Sequence, residues 1–476
     1  MRGYLASSIA VTCAAALALP LTSPSNALAD TSRPATAERP AADPRPAALE
    51  APTGSEASAL PETSAVPGST RSLPLVPLSS DRSLGAAASV QGLPRRDAPR
   101  FSLVGVVWDD PDTELRGLVQ VRTRSADTGK WSAWQDVETH NLEHAADPDT
   151  DERTSGRVRG STAPLWVGES DGVEVRVQAK LDEADGRAVT GGPLLPSGLR
   201  LELVDPGEEP PPQGPELAAP NAASLTAESA AASAVNADLA PLGATTIPEL
   251  TRQQTQEDFL ATRGIEGAEG AATNPYIGPR PRIVTRRGWG ADESLRERDF
   301  SYTKSVRAAF VHHSATGNNY RCSQAASVIR SIYRYHVKSS GWRDIGYNFL
   351  VDKCGNIYEG RAGGVTKPVK GAHTLGFNSN SMGIAVLGSF GGTNPPGAAV
   401  QGVAQLTAWK LGLYGANPAG KTYLKSGGGN LFPKGQNVRL DVISGHRDGF
   451  ATECPGARLY AKLHQARTTS ARYQGR

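Results

Sequence analysis

The chain has 476 residues, 38% of them hydrophobic and 6% aromatic, with 51 Gly and 35 Pro; it is too long for one ordinary domain and too poor in apolar residues for every part to bury a core. The overall net charge of +2 conceals two unlike halves: residues 280–476 hold 28 Lys and Arg against 10 Asp and Glu, a net +18, and residues 1–279 a net −16. The basic half points to an anionic partner, and the lack of an apolar run of about 20 residues beyond the N-terminus argues against an integral membrane protein.

Residues 1–29 read as a signal peptide. Arg2 is a short basic lead, Ile9 to Leu19 is apolar, and Ala27-Leu28-Ala29 is an A-x-A cleavage pattern. The mature protein is then expected to be secreted, extracellular or in the cell wall, where disulfides are permitted. Cleavage removes Cys13 and leaves Cys322, Cys354 and Cys454. One thiol is therefore expected to be free, cross-linked between chains or bound to metal. Residues 30–97 are rich in Ala, Pro, Ser and Arg, with no aromatic between Tyr4 and Phe101, and are expected to be a disordered segment.

From Phe101 the texture changes to short β-rich runs, such as FSLVGVVW (101–108) and GVEVRVQAKL (172–181), separated by Asp-, Gly- and Pro-rich turns. An all-β sandwich domain is expected over 98–205. Trp108, Trp131, Trp134 and Trp166 fall in it; core packing is the plainer reading of them and a carbohydrate-stacking face the sharper one. No catalytic cluster shows there, and the domain's role stays open. Residues 206–279 read as a low-complexity linker with a short helix near 250–264.

Residues 280–470 have the pattern of a compact α/β domain, a mixed central sheet flanked by helices. RAAFVHH (307–313) is a buried strand ending in two histidines, Ser323 caps a helix over 324–337, and YNFLVD (347–352) leads into a hairpin turn at 353–356. Strands are expected at 381–390 and 442–446, and a helix over 400–414.

Six histidines lie in this half: His312, His313, His336, His373, His446 and His464. Two strand ends deliver His312 and His446. Cys454 follows His446 by eight residues, in a loop whose Gly449 and Pro455 let it fold back. Two imidazoles and a thiolate make a zinc set with a fourth position for water. Such a set would account for the odd cysteine and leave Cys322 and Cys354 to pair; pairing of either with Cys454 would remove the thiolate, and spacing alone does not decide. Nor does it say which member of the His312-His313 pair binds. H-E-x-x-H is absent, which excludes the common zinc-protease arrangement.

Five segments occur together and in order: IVTRRGWGADES (283–294), FVHHSAT (310–316), GWRDIGYNFLVDKCGNIYEGR (341–361), GAHTLGFNSNSMGIAVLG (371–388) and GHRDGFATECPG (445–456). Over about 280–465 the chain resembles the zinc-dependent N-acetylmuramoyl-L-alanine amidases, which include the peptidoglycan recognition proteins and the phage lysozyme-type amidases. The resemblance implies one zinc on His312, His446 and Cys454, and an active-site tyrosine at Tyr347. Thr452 stands where phage-type members have lysine and recognition-protein amidases often have threonine. His373 and Asn378 fall in the segment that lines the substrate groove of relatives. The reaction implied is attack of a zinc-bound hydroxide on the amide between N-acetylmuramic acid and L-alanine, with Tyr347 stabilising the oxyanion. A non-catalytic peptidoglycan-binding protein is the alternative; loss of the cysteine usually marks that class, and Cys454 is present. A peptidase acting within the stem peptide is a third reading, which the motif order disfavours. The +18 matches peptidoglycan and anionic wall polymers as partners, and nucleic acid is not expected for an exported chain. Ala362-Gly363-Gly364, after Glu359-Gly360-Arg361, lacks the tryptophan by which stem-peptide preference is read.

Overall fold

In a computed structural model of the chain the described residues are 67–78, 90–180, 194–208, 225–263 and 275–476. The signal peptide expected at 1–29 lies outside them. Among the described residues no helix is long and apolar enough to cross a membrane.

Among the described residues the all-β domain is one eight-stranded antiparallel sheet. At its centre the long strand Val90–Trp108 runs between Leu165–Ala179 and Arg200–Asp205. Its inward residues Val104, Val106, Val119, Val175 and Val177 form a closed apolar core. The spacer expected over 30–97 needs correction at its C-terminal end. Ser69–Pro74 pairs antiparallel with Arg200–Asp205, and Val90–Trp108 begins eight residues before the expected domain start at 98. A half-buried strand needs only alternate apolar residues. Leu75 and Leu93 supply them by burying against the sheet, within a stretch whose average composition reads as spacer.

The expected linker over 206–279 also carries structure. The helix Ala227–Ala234 is capped by Thr226, whose hydroxyl accepts from the Ser229 N–H. The edge strand Thr246–Ile247 pairs with Ile283–Val284 and buries Ile247 completely, and Arg252–Arg263 is the expected helix.

The second sheet has seven strands in the order Ile443–Gly445, Ala308–His313, Ser381–Val386, Phe349–Val351, Ile357–Glu359, Ile283–Val284 and Thr246–Ile247. Ala308–His313 lies parallel to both its neighbours, whereas Phe349–Val351 and Ile357–Glu359 are antiparallel, so the sheet is mixed. The helices Gly397–Gly412 and Leu463–Gln474 cover one face, where Val311, Ile384, Val386, Trp409 and Leu463 share a core. The helix Ala325–Arg334 covers part of the other face, and there the two domains merge: Leu103, Val107, Trp166 and Val204 of the β domain pack with Val328, Ile329 and Ile332. The Tyr335 hydroxyl, at the end of that helix, donates to the carbonyl of Thr162 at 3.1 Å. Cys322 and Cys354 form a disulfide between the start of this helix and the hairpin turn, and Cys454 is free and buried.

The IVTRRGWG segment is structural. The buried Arg286 guanidinium donates to Glu293 (2.7 and 3.2 Å), to Asp344 (3.1 Å) and to the Gly360 carbonyl (2.6 Å), and the Trp289 indole N–H donates to the Glu359 carbonyl at 2.7 Å. Arg286→Met would take from the buried Asp344 and Glu293 carboxylates the guanidinium they share, leaving Arg361 near the first and Arg296 on the second. A destabilisation of about 3–5 kcal/mol is expected, read as a fall in the urea midpoint at unchanged slope. A loss below about 1 kcal/mol, the size of a surface pair, would show that the cluster does not support the fold.

Candidate metal centre

The pleat decides between the two histidines. Along Ala308–His313 alternate side chains take opposite faces. Ala309 and Val311 enter the helix-covered core, so His313 falls on that side and His312 on the side of Ala308 and Phe310. His446 begins the turn His446–Asp448, directly after the strand Ile443–Gly445 that pairs with Ala308–His313. The chain then folds back as expected: the Arg447 N–H donates to the Cys454 carbonyl at 3.0 Å, which brings the thiol under the histidines.

Cys454 Sγ lies 3.8 Å from His312 Nδ1, and the rings of His312 and His446 are 4.4 Å apart between centroids. A fourth residue joins them from the β domain. His144 Nε2 lies 3.7 Å from Cys454 Sγ, and its ring is 4.5 Å from that of His446. One ligand atom from each of His144, His312, His446 and Cys454 lies within 4.8 Å of all the others, and all four residues are buried. Donors about 2.0–2.3 Å from a tetrahedral centre stand about 3.4–3.7 Å apart, so the thiol-to-imidazole distances suit a shared ion.

The electrostatics point the same way. Burial pushes His144 down to about 3 and holds His312 and His446 well below the ordinary histidine value, with the neighbouring imidazoles adding to the effect. These rings are neutral at pH 7, the form that offers a lone pair to a cation. Both ring nitrogens of His446 are buried without a geometric hydrogen-bond partner, and a coordinated ion would satisfy one of them. Burial raises the Cys454 thiol, and a divalent cation would reverse that. Three imidazoles and a thiol are a donor set that fits zinc.

The remaining expected residues also converge here. Tyr347 is buried, with its ring 5.5 Å from that of His312. Burial, with Cys454, Glu143 and Glu138 nearby, holds its phenol well above the ordinary tyrosine value, so it keeps its proton. His373 Nδ1 lies 3.3 Å from His312 Nε2, the nitrogen that faces away from Cys454. It fits beneath the sheet because position 383 is glycine: a Cβ there would stand 2.3 Å from the His373 ring. Asn378 accepts from the backbone N–H of His373 at 2.7 Å and of Thr374 at 3.1 Å, which fixes that loop. The Thr452 hydroxyl donates to Glu143 at 2.6 Å and accepts from the Cys454 N–H at 3.1 Å. His336 packs on Trp342, with ring centroids 4.3 Å apart, and His313 lies 3.6 Å from Glu138.

His144 and Glu143 are what the sequence reading does not reach. They sit in HNLEHAADPDTDER (140–153), which has neither strand nor helix periodicity. The available signal is slight: His140 and His144 are the only histidines before residue 280.

Two families match the chain. Residues 51–216 match the family described as "Rv3811 N-terminal galactose-binding domain-like", and residues 302–457 match "N-acetylmuramoyl-L-alanine amidase". Peptidoglycan-recognition protein SC2 of Drosophila simulans is 34% identical over 183 residues, 38% of this chain and 84% of the relative. The C-terminal part of the chain belongs to the N-acetylmuramoyl-L-alanine amidase and peptidoglycan-recognition protein family. Peptidoglycan-recognition protein 1 of Holotrichia diomphalia is 30% identical over 203 residues, 42% of this chain and 86% of the relative. The solved structure of Drosophila PGRP-LB aligns over 38% of this chain and 91% of its own, with 27% identity and a TM-score of 0.30. His312, His446 and Cys454 lie in the amidase-family segment, whereas His144 lies in the galactose-binding-like one.

Proposed function

We propose that this chain is an exported, zinc-dependent N-acetylmuramoyl-L-alanine amidase, which hydrolyses the amide between the lactyl group of N-acetylmuramic acid and the L-alanine of the stem peptide in peptidoglycan. The observation that carries this reading is the free thiol of Cys454, 3.8 Å from His312 Nδ1, in a chain whose other two described cysteines are paired. Export is supported by the A-x-A pattern at residues 27–29 and by that disulfide.

His312, His446 and Cys454 would hold a zinc ion, which would supply a Lewis acid for the carbonyl and lower the pKa of water to near 7. The residues do the rest. His373, against the far nitrogen of His312, fixes that ring's orientation. The Tyr347 phenol, kept protonated by burial, is a hydrogen-bond donor to the oxyanion that develops on the lactyl carbonyl. The surplus positive charge of residues 280–476 attracts the carboxylates of stem peptides and anionic wall polymers.

The second reading, a binding protein without catalysis, is favoured by the filling of the fourth donor position by His144. Mass spectrometry of digested cell wall separates the two. Stem peptides that begin at L-alanine, released with peptide-free glycan, are the expected products. A cut between two amino acids overturns the amidase reading, and retention on insoluble wall with no release of peptide establishes the binding one.

A further inference from the structure

We propose that His144 is a fourth protein ligand of the metal and that residues 138–152, which carry it, are a lid that closes the centre in the resting protein. The proposal rests on the zinc reading above and adds a state in which that site cannot react.

Three observations support it. First, His144 stands as a ligand does: its Nε2 is 3.7 Å from Cys454 Sγ, against 3.8 Å for His312 Nδ1, and its ring is as close to His446 as the His312 ring is. The backbone on either side is pinned, with the Glu143 carbonyl taking the Leu375 N–H and the Ala145 carbonyl the Asn378 amide, so the ring is held facing Cys454. A centre of three imidazoles and one thiolate is closed, as in structural zinc sites, whereas hydrolytic sites keep a position for water.

Second, the segment is seated on the loop that carries His373 and Asn378 and on Thr452, beside the centre. The Leu375 N–H donates to the Glu143 carbonyl, and Asn378 Nδ2 donates to the Ala145 carbonyl and to Asp147. Glu143 takes the Thr452 hydroxyl. The Glu152 carboxylate accepts from both terminal nitrogens of Arg361 at 2.8 Å, and Asp147 faces Lys370 at 3.8 Å. The lid thus sets carboxylates against the cations of the basic domain. An acidic stem peptide would compete for the same cations.

Third, the bonds that hold the lid differ from those that hold the domain. Between the strand Gln135–Val137 and the turn Asp151–Thr154 the lid meets the amidase-family domain through hydrogen bonds, ion pairs and the ring contacts of His144 with Tyr347, His312 and His446, and none of residues 138–152 enters an apolar core cluster. Elsewhere the two domains share a buried apolar core around Leu103, Val107 and Ile332. The lid can therefore lift while the domains stay docked.

The test uses the full chain. Zinc X-ray absorption of the unaltered protein should count three imidazole nitrogens and one sulfur; two imidazoles, one sulfur and an oxygen would overturn the proposal without any variant. With cobalt in place of zinc, the visible spectrum of the unaltered chain should ignore added azide, while His144→Ala should bind cobalt and respond to azide. His144→Gln, which retains bulk without the imidazole, serves if the alanine variant does not fold. Wall hydrolysis should rise by about tenfold or more in either variant, the shift expected when the competent form is a minor population. Equal azide responses in unaltered and variant chains overturn the lid. If the spectra differ as expected but neither chain releases stem peptides, the amidase reading fails and the His144 ligand stands. If the unaltered chain binds azide and cleaves wall at the variant rate, the amidase reading stands and the lid falls. If no chain takes up metal, both fall.

Discussion

Replacing Cys454 by alanine is expected to lower wall hydrolysis by more than about 10²-fold, exceeding the 10–100-fold typical of losing a partner outside the coordination sphere. Cys454 is the only donor of the four that becomes an anion, and its loss leaves His144, His312 and His446. Three imidazoles still hold zinc in some enzymes. Single replacement should therefore weaken zinc retention during dialysis against a mild chelator without abolishing it, and Cys454→Ala/His144→Ala, with two imidazoles, should retain none. The two losses act on one ion and should not add. Metal analysis after dialysis, beside the hydrolysis rate, checks both expectations. Urea midpoints compared with chelator present separate loss of metal from loss of fold, because bound metal itself stabilises the native state. Wild-type zinc retention and rate in Cys454→Ala would remove the thiol from the centre and take the catalytic reading with it.

What the sequence discloses about this centre follows from locality. His312 and His446 are legible because each ends an apolar run short enough to be a buried strand, and parallel neighbours bring their ends together. The choice of His312 over His313 needs the sheet, since only a known core face gives the pleat a direction. Cysteine parity leaves one thiol over without saying which; the disulfide Cys322–Cys354 makes it Cys454. His144 is beyond such reasoning. It lies 168 positions before His312, in a segment ordered by another domain's surface rather than by its own periodicity. Strand Ser69–Pro74 escapes for a related reason: its order comes from pairing with Arg200–Asp205, a contact that composition averaged over a window does not register. Asn378 is expected in the substrate groove by resemblance; its contacts fix its own loop and, through Ala145 and Asp147, tie that loop to residues 138–152.

Tyr347→Phe is expected to lower kcat by roughly 10²–10³ with zinc content unchanged, the loss found on removing one donor to a developing oxyanion. The substitution deletes a hydroxyl and preserves the ring, which packs 5.5 Å from His312, 5.9 Å from His144 and 5.7 Å from His336. The fold and the ligand positions should therefore survive. A donor used only in the transition state lowers kcat and leaves KM alone, whereas a donor used equally in substrate binding raises KM. The comparison is best made in the His144→Ala background. If lid opening limits turnover in the unaltered chain, a slower chemical step is partly hidden there. With the lid ligand removed, chemistry is exposed and the full loss should be measured. A Tyr347→Phe effect that stays below about threefold in that background would mean that the phenol packs the imidazoles without touching the reaction, since the loss of one donor costs about 2.7–4 kcal/mol.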